Sequence, residues 1–356
     1  MHQESKPGFP RYTARMLELV DHLAELGALR ERDALDLALV NAICDVLQPQ
    51  SVSICRAIGD PDNERWRLGA TAGAGQKPGT GDSAWAALES LPRLDQHPLR
   101  QQALRSGQIQ SASGTPALTE FPLGCANGVL ELHTEAPLSA ENSRLVSGIL
   151  RLYLNVGKLL DYGERDSLTD LLNRKTFDGA FLKATVEQRH SAAPAANQER
   201  RDTCNAGSYW LCMIDIDHFK RVNDNYGHLI GDEVLLLLAR LMRSQFRFHD
   251  LLYRFGGEEF VVLMRCCGET EAGHVLERMR AATEAHLFPQ VGQITVSIGF
   301  SEVRTGDSPS GAFERADKAV YYAKEHGRNQ VCSYAALVAR GELDNQASNV
   351  GDMELF

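Results

Sequence analysis

The strongest constraint on the fold comes from a Gly-Gly pair between two apolar runs. The segment is Leu251–Met264, LLYRFGGEEFVVLM. This pattern predicts two antiparallel strands joined by a tight turn, because glycine adopts the positive φ angles that such turns use. Glu258 and Glu259 follow the glycines directly. Two carboxylates at the tip indicate that the hairpin does more than pack, although GGEE taken alone is equally consistent with a solvated surface turn.

A second apolar run, Tyr209–Asp217 with the sequence YWLCMIDID, is long enough for a buried strand and ends in alternating carboxylates. If this strand pairs with the hairpin, Asp215 and Glu258 converge. Two such charges at about 4 Å repel by roughly 4 kcal/mol at an effective dielectric constant of about 20. The site then needs a polycation, a shared proton or separation by solvent. Mg²⁺ is the simplest answer, because it binds one or two carboxylates together with substrate phosphates.

The residues that follow this strand add phosphate-binding, amide and further acidic side chains. The sequence from Asp215 is DIDHFKRVNDNYGHLIGDEVL, and it leads into an apolar helix predicted over Glu233–Met242. Charge and hydrogen-bonding capacity are therefore concentrated beside one strand end. The side chains concerned are Lys220, Asn223, Asp224, His228 and Asp232.

From Asp166 to Tyr334, the sequence closely resembles the GGDEF family of diguanylate cyclases, which condense two GTP molecules into cyclic di-GMP. Five motifs carry the resemblance in the same order. They are DSLTDLLNRKTF at Asp166–Phe177, DIDHFKRVNDNYGHLIGD at Asp215–Asp232, RFGGEEF at Arg254–Phe260, TVSIGF at Thr295–Phe300 and ADKAVYYAKEHGRN at Ala316–Asn329. GGEEF in place of GGDEF is an accepted variant that keeps the carboxylate.

The resemblance implies a metal site and a catalytic centre. Asp215 and Glu258 match the family's metal carboxylates, with the Ile216 carbonyl as a further oxygen ligand and Glu259 near the metal or the triphosphate. One or two Mg²⁺ ions are expected there, with Mn²⁺ as a substitute. The general base stays open between Glu258 and a water molecule that accepts the proton.

The resemblance also implies how GTP is bound. Asn223 and Asp232 match the guanine-reading pair, and an amide with a carboxylate suits the guanine edge. The remaining residues that the resemblance assigns to the substrate are basic side chains, which would bind the triphosphate, and residues that directly follow the strand predicted over Tyr209–Asp217. They are Lys220, Lys324, Arg328, His218 and Phe219. Lys324 and Arg328 by themselves would also suit a solvated helix face.

The family's reaction requires two subunits, because each subunit holds one GTP and each 3′-hydroxyl attacks the other nucleotide's α-phosphorus. A homodimer is therefore expected. Arg247 and Asp250 match the family's RxxD motif, which implies an inhibitory site for the product cyclic di-GMP. Two other functions are retained as alternatives: a catalytically silent cyclic di-GMP receptor and an interaction scaffold.

Composition restricts the partners and the compartment. A net charge of −10 argues against a nucleic-acid polymer or an anionic membrane surface as the main partner. The eight cysteines show no CxxC spacing, so reduced thiols are expected. The longest apolar run is far shorter than the roughly 20 residues of a membrane span, and the N-terminus has no signal-peptide core. We therefore expect no membrane span and a cytoplasmic location.

The first part of the chain predicts an α+β module. Helices are expected over Tyr12–Leu29 and Asp33–Leu47, with Asp33 as the cap of the second helix. The segment Phe121–Leu150 loosely resembles a GAF domain, a family that senses small molecules or dimerises. An unknown small-molecule or protein signal is therefore expected here. The strands are predicted at Ser51–Ile58, Arg65–Ala70, Gln108–Ser111 and Gly128–His133.

A helix beginning near Ser139 is predicted to join the two parts. Its apolar residues at spacings of four and three suit a parallel coiled coil, and a helix packed back on its own sheet would serve the same pattern. These residues are Leu145, Ile149, Leu152, Val156 and Leu159.

The predicted fold class is therefore mixed α+β and α/β, with four segments. A GAF-like domain with a central antiparallel sheet and helices occupies 1–138, and a signalling helix occupies 139–165. A GGDEF domain with a mixed sheet surrounded by helices, palm-like as in nucleotidyl cyclases, occupies 166–334. It contains a surface insertion at 190–208. A flexible tail follows at 335–356.

Overall fold

The structure, a computed structural model, describes residues 11–59, 63–73, 76–82, 88–124, 127–192 and 207–344. The chain divides into two compact units, Met1–Gly163 and Glu164–Phe356. Most of the predicted insertion, residues 193–206, lies outside the described residues, as do residues 345–356 of the predicted tail. Among the helices that are described, none combines the length and apolar character needed to cross a membrane.

The first unit is built on a six-stranded sheet of order β3-β2-β1-β6-β5-β4, in which every neighbouring pair is antiparallel. This confirms the predicted antiparallel sheet with helices. Its elements are α1 (Arg11–Ala28), α2 (Arg32–Leu47), β1 (Ser51–Ile58), β2 (Arg65–Gly73), β3 (Gln76–Thr80), α3 (Pro98–Ser106), β4 (Gln110–Ala112), β5 (Ala117–Pro122), β6 (Gly128–Thr134) and α4 (Ala140–Glu164).

Several elements of this unit differ from the prediction. Strand β3 has the sequence QKPGT, whose proline and glycine are typical of a loop, but it lies at the sheet edge, where proline is tolerated. Helix α3 was not predicted, and β5 begins at Ala117, before the strand expected at the start of the Phe121–Leu150 segment. Asp33 is not the cap of α2, because the helix begins at Arg32 and Asp33 lies inside its first turn. Ser139 does cap α4, with its hydroxyl oxygen 3.1 Å from the Asn142 amide.

A buried polar network joins three elements of this unit. Arg56 of β1 contacts both carboxylate oxygens of Asp36 on α2, and its Nη2 lies 2.8 Å from the Tyr153 hydroxyl on α4. The Tyr153 hydroxyl donates to Asp36 Oδ1 at 2.6 Å. Each charge in this network therefore has a hydrogen-bonded partner, which offsets the cost of burial.

Helix α4 buries one of its faces within the first unit. Ile149 and Val156, two residues of the predicted coiled-coil seam, are 3% and 6% exposed in an apolar cluster with residues of α2 and the sheet. Leu159 is 71% exposed and Tyr162 is 85% exposed. Leu145 and Leu152 also pack against this cluster. The alternative interpretation, a helix packed back on its own sheet, therefore describes four of the five residues of the predicted seam, and the coiled coil stays a prediction.

The second unit has a mixed six-stranded sheet of order β14-β13-β8-β10-β9-β7, parallel at its two outer pairs and antiparallel between. Its elements are β7 (Leu172–Asn173), α5 (Phe177–Ala192), β8 (Ser208–Ile216), α6 (Phe219–Tyr226), α7 (His228–Gln245), β9 (Leu251–Gly256), β10 (Glu259–Cys266), α8 (Glu269–Ala285), β11 (Leu287–Phe288), β12 (Gly292–Gln293), β13 (Val296–Glu302), α9 (Pro309–Glu325), β14 (Val331–Ser333) and α10 (Tyr334–Ala339).

Side chains of β8 point alternately to the two faces of the sheet, and helices pack on both faces. Cys212, Ile214 and Ile216 share one apolar cluster with residues of α6, α7 and α8. Helices α5 and α9 contact β8 and each other. Side chains alternate between the two faces of a strand, so Asp215 lies on the other face of the sheet from Ile214 and Ile216, where α9 packs.

Helix α9 approaches β13 closely at Gly299. A Cβ atom at this position would lie 2.3 Å from the Val320 amide nitrogen and 2.4 Å from the Ala316 carbonyl oxygen. Both neighbours are backbone atoms of α9, so neither can rotate away. Glycine is therefore required here for helix-to-sheet packing, and that packing positions the C-terminal turn of α9.

We expect Gly299→Ala to lower the free energy of unfolding by about 2 kcal/mol or more, because the added methyl group forces α9 away from β13. Urea denaturation of the full chain measures this. Gly179→Ala is the matched control, since a Cβ at this exposed position of α5 would meet nothing within 4 Å. The control is expected to be neutral or stabilising by up to about 1 kcal/mol. Equal stability of the two variants would contradict the close-approach argument.

Candidate active site

Acidic side chains from two strands meet at one end of the second sheet. Asp215, near the end of β8, lies directly opposite Glu259 of β10 in the strand register. Glu258 immediately precedes β10 and is half-buried, whereas Asp215 is only 4% exposed. Lys324, in the last turn of α9, places its Nζ 2.7 Å from Asp215 Oδ2. The site therefore combines a buried carboxylate, two neighbouring glutamates and one lysine.

The electrostatics of this site match the repulsion expected from the sequence. Burial raises the pKa of Asp215, and Glu259 and Asp217 raise it further, while Lys324 opposes them. Burial also raises the pKa of Glu258, and the charge on Asp215 adds to this effect. Both carboxylates are thus held in surroundings that disfavour their charged forms, and additional positive charge would stabilise them.

The donor set fits a hard divalent cation that takes further ligands from elsewhere. Asp215 Oδ1 is buried and has no hydrogen-bond partner within the described part of the chain, so one carboxylate oxygen is free to coordinate. In that same part of the chain, no three His, Cys, Asp or Glu side chains gather in a metal-binding arrangement. Two carboxylates suit a divalent cation that takes its remaining oxygen ligands from water or substrate.

Asp217, which the sequence analysis did not single out, holds the loop after α9 against the strand ends. Its carboxylate accepts hydrogen bonds from Thr295 Oγ1 at 2.7 Å, from Ser297 Oγ at 2.7 Å and from the Asn329 amide at 3.0 Å. Asn329 lies next to Arg328, and both have left-handed backbone conformations. Asp217 therefore fixes the segment that carries Arg328. The alternating Asp-Ile-Asp pattern of residues 215–217 is the sequence feature that could have identified Asp217.

Asn223 is positioned by the contact between α6 and α7. Its half-buried side chain lies over Gly231, where an added Cβ would be 2.0 Å from Asn223 Oδ1. The next residue of α7 is Asp232, which is exposed. The two predicted guanine-reading residues are therefore carried by adjacent parts of α6 and α7, and Gly231 is required for this approach.

The other predicted substrate residues fall into two groups. Lys220, His218 and Arg328 are exposed around the strand end and the loop after α9. His218 has a left-handed backbone conformation just before α6. The Phe219 side chain is only 4% exposed and belongs to the apolar core, so a contact between this side chain and a nucleotide is not supported. Its aromatic ring stabilises the fold instead.

The acidic hairpin forms as predicted, although its glycines do not act as expected. Gly256 pairs with Glu259 across the turn, yet neither Gly256 nor Gly257 has a positive φ angle. Arg254 holds the turn instead, through Nη2 to the Gly257 carbonyl and Nη1 to Asp166, both at 3.0 Å. A Cβ at Gly257 would meet nothing within 4 Å, so the glycine leaves open space beside the turn.

The predicted RxxD residues lie in the turn between α7 and β9. The Arg247 side chain is 57% exposed and pairs with Glu271 at 3.1 Å. Asp250 is buried, and its Oδ2 accepts a hydrogen bond from the Arg247 amide at 2.8 Å. Burial raises the pKa of Asp250 to about 6. The arginine is therefore presented to solvent, and the aspartate shapes the turn that presents it.

The sequence that carries this site matches a known protein family. Residues 164–330 match the model described as diguanylate cyclase, GGDEF domain. Residues 164–330 form a GGDEF domain. All the acidic and lysine residues described above, and the two residues predicted to read guanine, lie within the matched range.

The relatives of this GGDEF domain include a diguanylate cyclase and a response regulator. Diguanylate cyclase DgcP of Pseudomonas aeruginosa is 40% identical over 169 residues, which cover 47% of this chain and 23% of DgcP. Response regulator PleD of Caulobacter vibrioides is 37% identical over 188 residues, covering 51% and 38% of the two chains. The chain thus spans less than two fifths of either relative. The solved coiled coil and GGDEF domain of DgcB from Caulobacter crescentus, in complex with c-di-GMP, is 28% identical, with a TM-score of 0.46, and covers 55% of this chain and 97% of that one.

Asp250 makes the stability of the GGDEF domain depend on pH. Because its folded-state pKa of about 6 exceeds the usual value of 3.8, its contribution to stability is present in acid and is lost as the pH rises through 6. Asp250→Asn removes this loss. We expect the variant's stability relative to the wild type to be about 2 kcal/mol greater at pH 7.5 than at pH 4.5.

Urea denaturation at the two pH values measures this difference. The exposed Asp224, replaced by Asn, is the control and is expected to show no such change. A pH-independent difference between Asp250→Asn and the wild type would contradict the burial argument.

Proposed function

We propose that the protein is a diguanylate cyclase, which condenses two GTP molecules into cyclic di-GMP and two pyrophosphates. The observation that carries this proposal is the buried Asp215, with one oxygen on Lys324 and the other without a partner, beside Glu258 and Glu259. Such a site suits a triphosphate with its divalent cation, because that ligand supplies positive charge and further oxygen donors together.

Guanine is the base that the site suits. Asn223 offers an amide and Asp232 a carboxylate from adjacent parts of α6 and α7. A carboxylate accepts hydrogen bonds from guanine N1–H and the exocyclic amine, whereas adenine presents the opposite pattern at N1. The approach of Asn223 to Gly231 supports a fixed geometry for this recognition.

The chain's own residues bind and orient the triphosphate. Lys220 and Arg328 are exposed beside the strand end, and Arg328 is held there through Asp217 and Asn329. Asp215, Glu258 and the Ile216 carbonyl would hold Mg²⁺, or Mn²⁺ in its place. When bound, that cation neutralises the pyrophosphate and lowers the pKa of the attacking 3′-hydroxyl. Lys324, whose Nζ lies 2.7 Å from Asp215 Oδ2, would contact phosphate oxygens.

The reaction needs a second copy of the chain, because each 3′-hydroxyl attacks the α-phosphorus of the other nucleotide. We propose a homodimer formed through α4, on which the exposed Leu159 and Tyr162 offer apolar surface. Leu145 and Leu152 precede Leu159 at intervals of seven residues and are only partly buried against the apolar cluster of the first unit. Ile149 and Val156, the other two residues of the predicted seam, are buried in that cluster.

The first unit is proposed to be a GAF-like sensor in a cytoplasmic enzyme. The support is its antiparallel sheet, with the helices α1, α2 and α4 packed on one face. Because α4 both completes this packing and leads into the GGDEF domain, an ordered helix connects the two functions.

The first test is Glu258→Gln, which keeps the side-chain shape and removes the charge. We expect at least a 100-fold loss of cyclic di-GMP formation, a typical order of magnitude for removing one electrostatic contact to a reacting centre. Purified protein is incubated with GTP and Mg²⁺, and nucleotides are resolved by chromatography at several protein concentrations.

Exposed Glu302 at the end of β13, replaced by Gln, is the matched control and is expected to retain activity. Specific activity of the wild type is expected to rise with protein concentration, because the dimer is the active form. Wild-type turnover by Glu258→Gln would contradict the assignment. Cyclic di-GMP binding with no turnover by the wild type would favour the silent receptor.

We further propose that cyclic di-GMP inhibits the enzyme at Arg247 and Asp250. The exposed Arg247 guanidinium suits a phosphate or the guanine of the product. Arg247→Ala is expected to retain turnover and to raise the product concentration for half-inhibition at least about tenfold, which corresponds to about 1.4 kcal/mol. Initial rates at increasing cyclic di-GMP measure this. The exposed Arg304, replaced by Ala, is the control. Unchanged inhibition of Arg247→Ala would exclude this site.

A further inference from the structure

Three consecutive residues after α9 have left-handed backbone conformations. Gly327, Arg328 and Asn329 have φ angles of 112°, 62° and 44°. Glycine adopts such angles freely, whereas other residues keep them only where the surrounding structure imposes them. This left-handed segment, residues 327–329, therefore depends on contacts from outside, and it carries Arg328, a proposed triphosphate contact.

The main chain of the left-handed segment is fixed by two hydrogen bonds. The Arg328 amide donates to the Ala323 carbonyl at 2.9 Å, and the Asn329 amide donates to Asp217 Oδ2 at 3.0 Å. The Arg328 side chain is exposed, and its guanidinium has no hydrogen bond to any residue that the structure describes. Arg328 therefore combines a fixed backbone with a guanidinium that can bind an anion.

Two charged residues of α8 bind the Asn329 side chain. Arg280 Nη1 donates to Asn329 Oδ1 at 2.8 Å, and Asn329 Nδ2 donates to Glu284 Oε1 at 2.8 Å. Arg280 Nη1 also lies 2.7 Å from Glu284 Oε2. Both ends of the Asn329 amide group are bonded, so this side chain has one favourable orientation. These three side chains, which we call the α8 clamp, link the left-handed segment to a helix that carries no residue of the proposed active site.

Arg280 is held in place on its own helix. Its Nε and Nη2 donate to Glu277 Oε1 at 2.8 and 2.6 Å, and its side chain is only 15% exposed. Glu277 and Glu284 together compensate the charge of Arg280, which makes this arginine a poor phosphate ligand. Its remaining contact is the one with Asn329, so Arg280 acts on the left-handed segment through that side chain.

We propose that Arg280 is a positioning residue for triphosphate binding, which holds Arg328 in place through the side chain of Asn329. The proposal rests on the cyclase function proposed above, and it extends the substrate site to α8. Ordering a chain segment and a long side chain when a ligand binds costs entropy and lowers the affinity. The α8 clamp orders the segment in the free protein, so most of this cost does not reduce the affinity for the nucleotide.

A double-mutant cycle tests the connection between Arg280 and Arg328. The ligand is 3′-deoxy-GTP with Mg²⁺, which lacks the attacking hydroxyl, so calorimetric titration of the full chain measures binding without turnover. Arg280→Met and Arg328→Met are each expected to weaken binding about tenfold. The double variant is expected to bind within about twofold of Arg328→Met, which corresponds to a coupling energy of about 1.4 kcal/mol. A structural effect of Arg280 that is independent of Arg328 would instead multiply the two losses.

Asn329→Gly breaks the α8 clamp from the other side and leaves the bonds between Arg280 and the glutamates of α8 intact. Glycine keeps the left-handed conformation without strain, so a folding defect of Arg280→Met does not extend to this variant. Asn329→Gly is expected to weaken binding about tenfold in the wild-type background and to have no further effect in the Arg328→Met background. Arg240→Met, at an exposed position of α7, is the matched control and is expected to bind as the wild type does.

Three results would overturn the proposal. In the first, the double variant binds about ten times more weakly than Arg328→Met, so Arg280 acts independently. In the second, Arg280→Met and Asn329→Gly bind as the wild type does while Arg328→Met is weakened, and the triphosphate assignment stands without the α8 clamp. In the third, Arg328→Met binds as the wild type does, which also removes Arg328 from the proposed substrate site. Cyclic di-GMP formation by the wild type is measured independently, so a failure of the proposed function is distinguished from all three.

Discussion

The structure of the second unit depends on how one buried carboxylate is compensated. Asp215 lies between two strands at the end of β8, with Glu259 opposite it and Lys324 at 2.7 Å. Removing the lysine would leave a buried negative charge beside other acids, which is strongly unfavourable. The close approach of α9 to Gly299 is what brings Lys324 to this position. The packing of α9 on the sheet is therefore also what places a compensating positive charge beside Asp215.

The same physical problem arises on both faces of the first sheet, with different outcomes. On one face, Arg56, Asp36 and Tyr153 satisfy each other, and the network joins β1, α2 and α4. On the other face, Arg100 Nε and Glu120 Oε2 are buried without a hydrogen-bond partner among the described residues. A fully satisfied network stabilises a fold, whereas each unpaired buried polar atom costs free energy.

Local patterns predicted most of the elements that carry strong periodicity. Strand β1 was predicted with the bounds that the structure has, and the pairing of β8 with the acidic hairpin followed from two apolar runs ending in acid. Elements with weak local signals were missed. Strand β3 contains proline and glycine, and α3 has few apolar residues, so both depend on the sheet against which they pack. Phe219 was assigned to the substrate through the family resemblance, whereas packing places its ring in the core.

The sequence by itself determined which residues stand at strand ends and helix starts, because alternation and motif spacing are local properties of the chain. These local patterns were sufficient to predict that Asp215 and the two glutamates of the hairpin lie at the same end of the sheet. Only the tertiary structure decided which side chains compensate one another. Asp217 holds the Asn329 amide across 112 residues, and Arg100 contacts Glu131 across a helix-to-sheet interface. Such contacts depend on how whole elements pack together, and no local pattern encodes that packing.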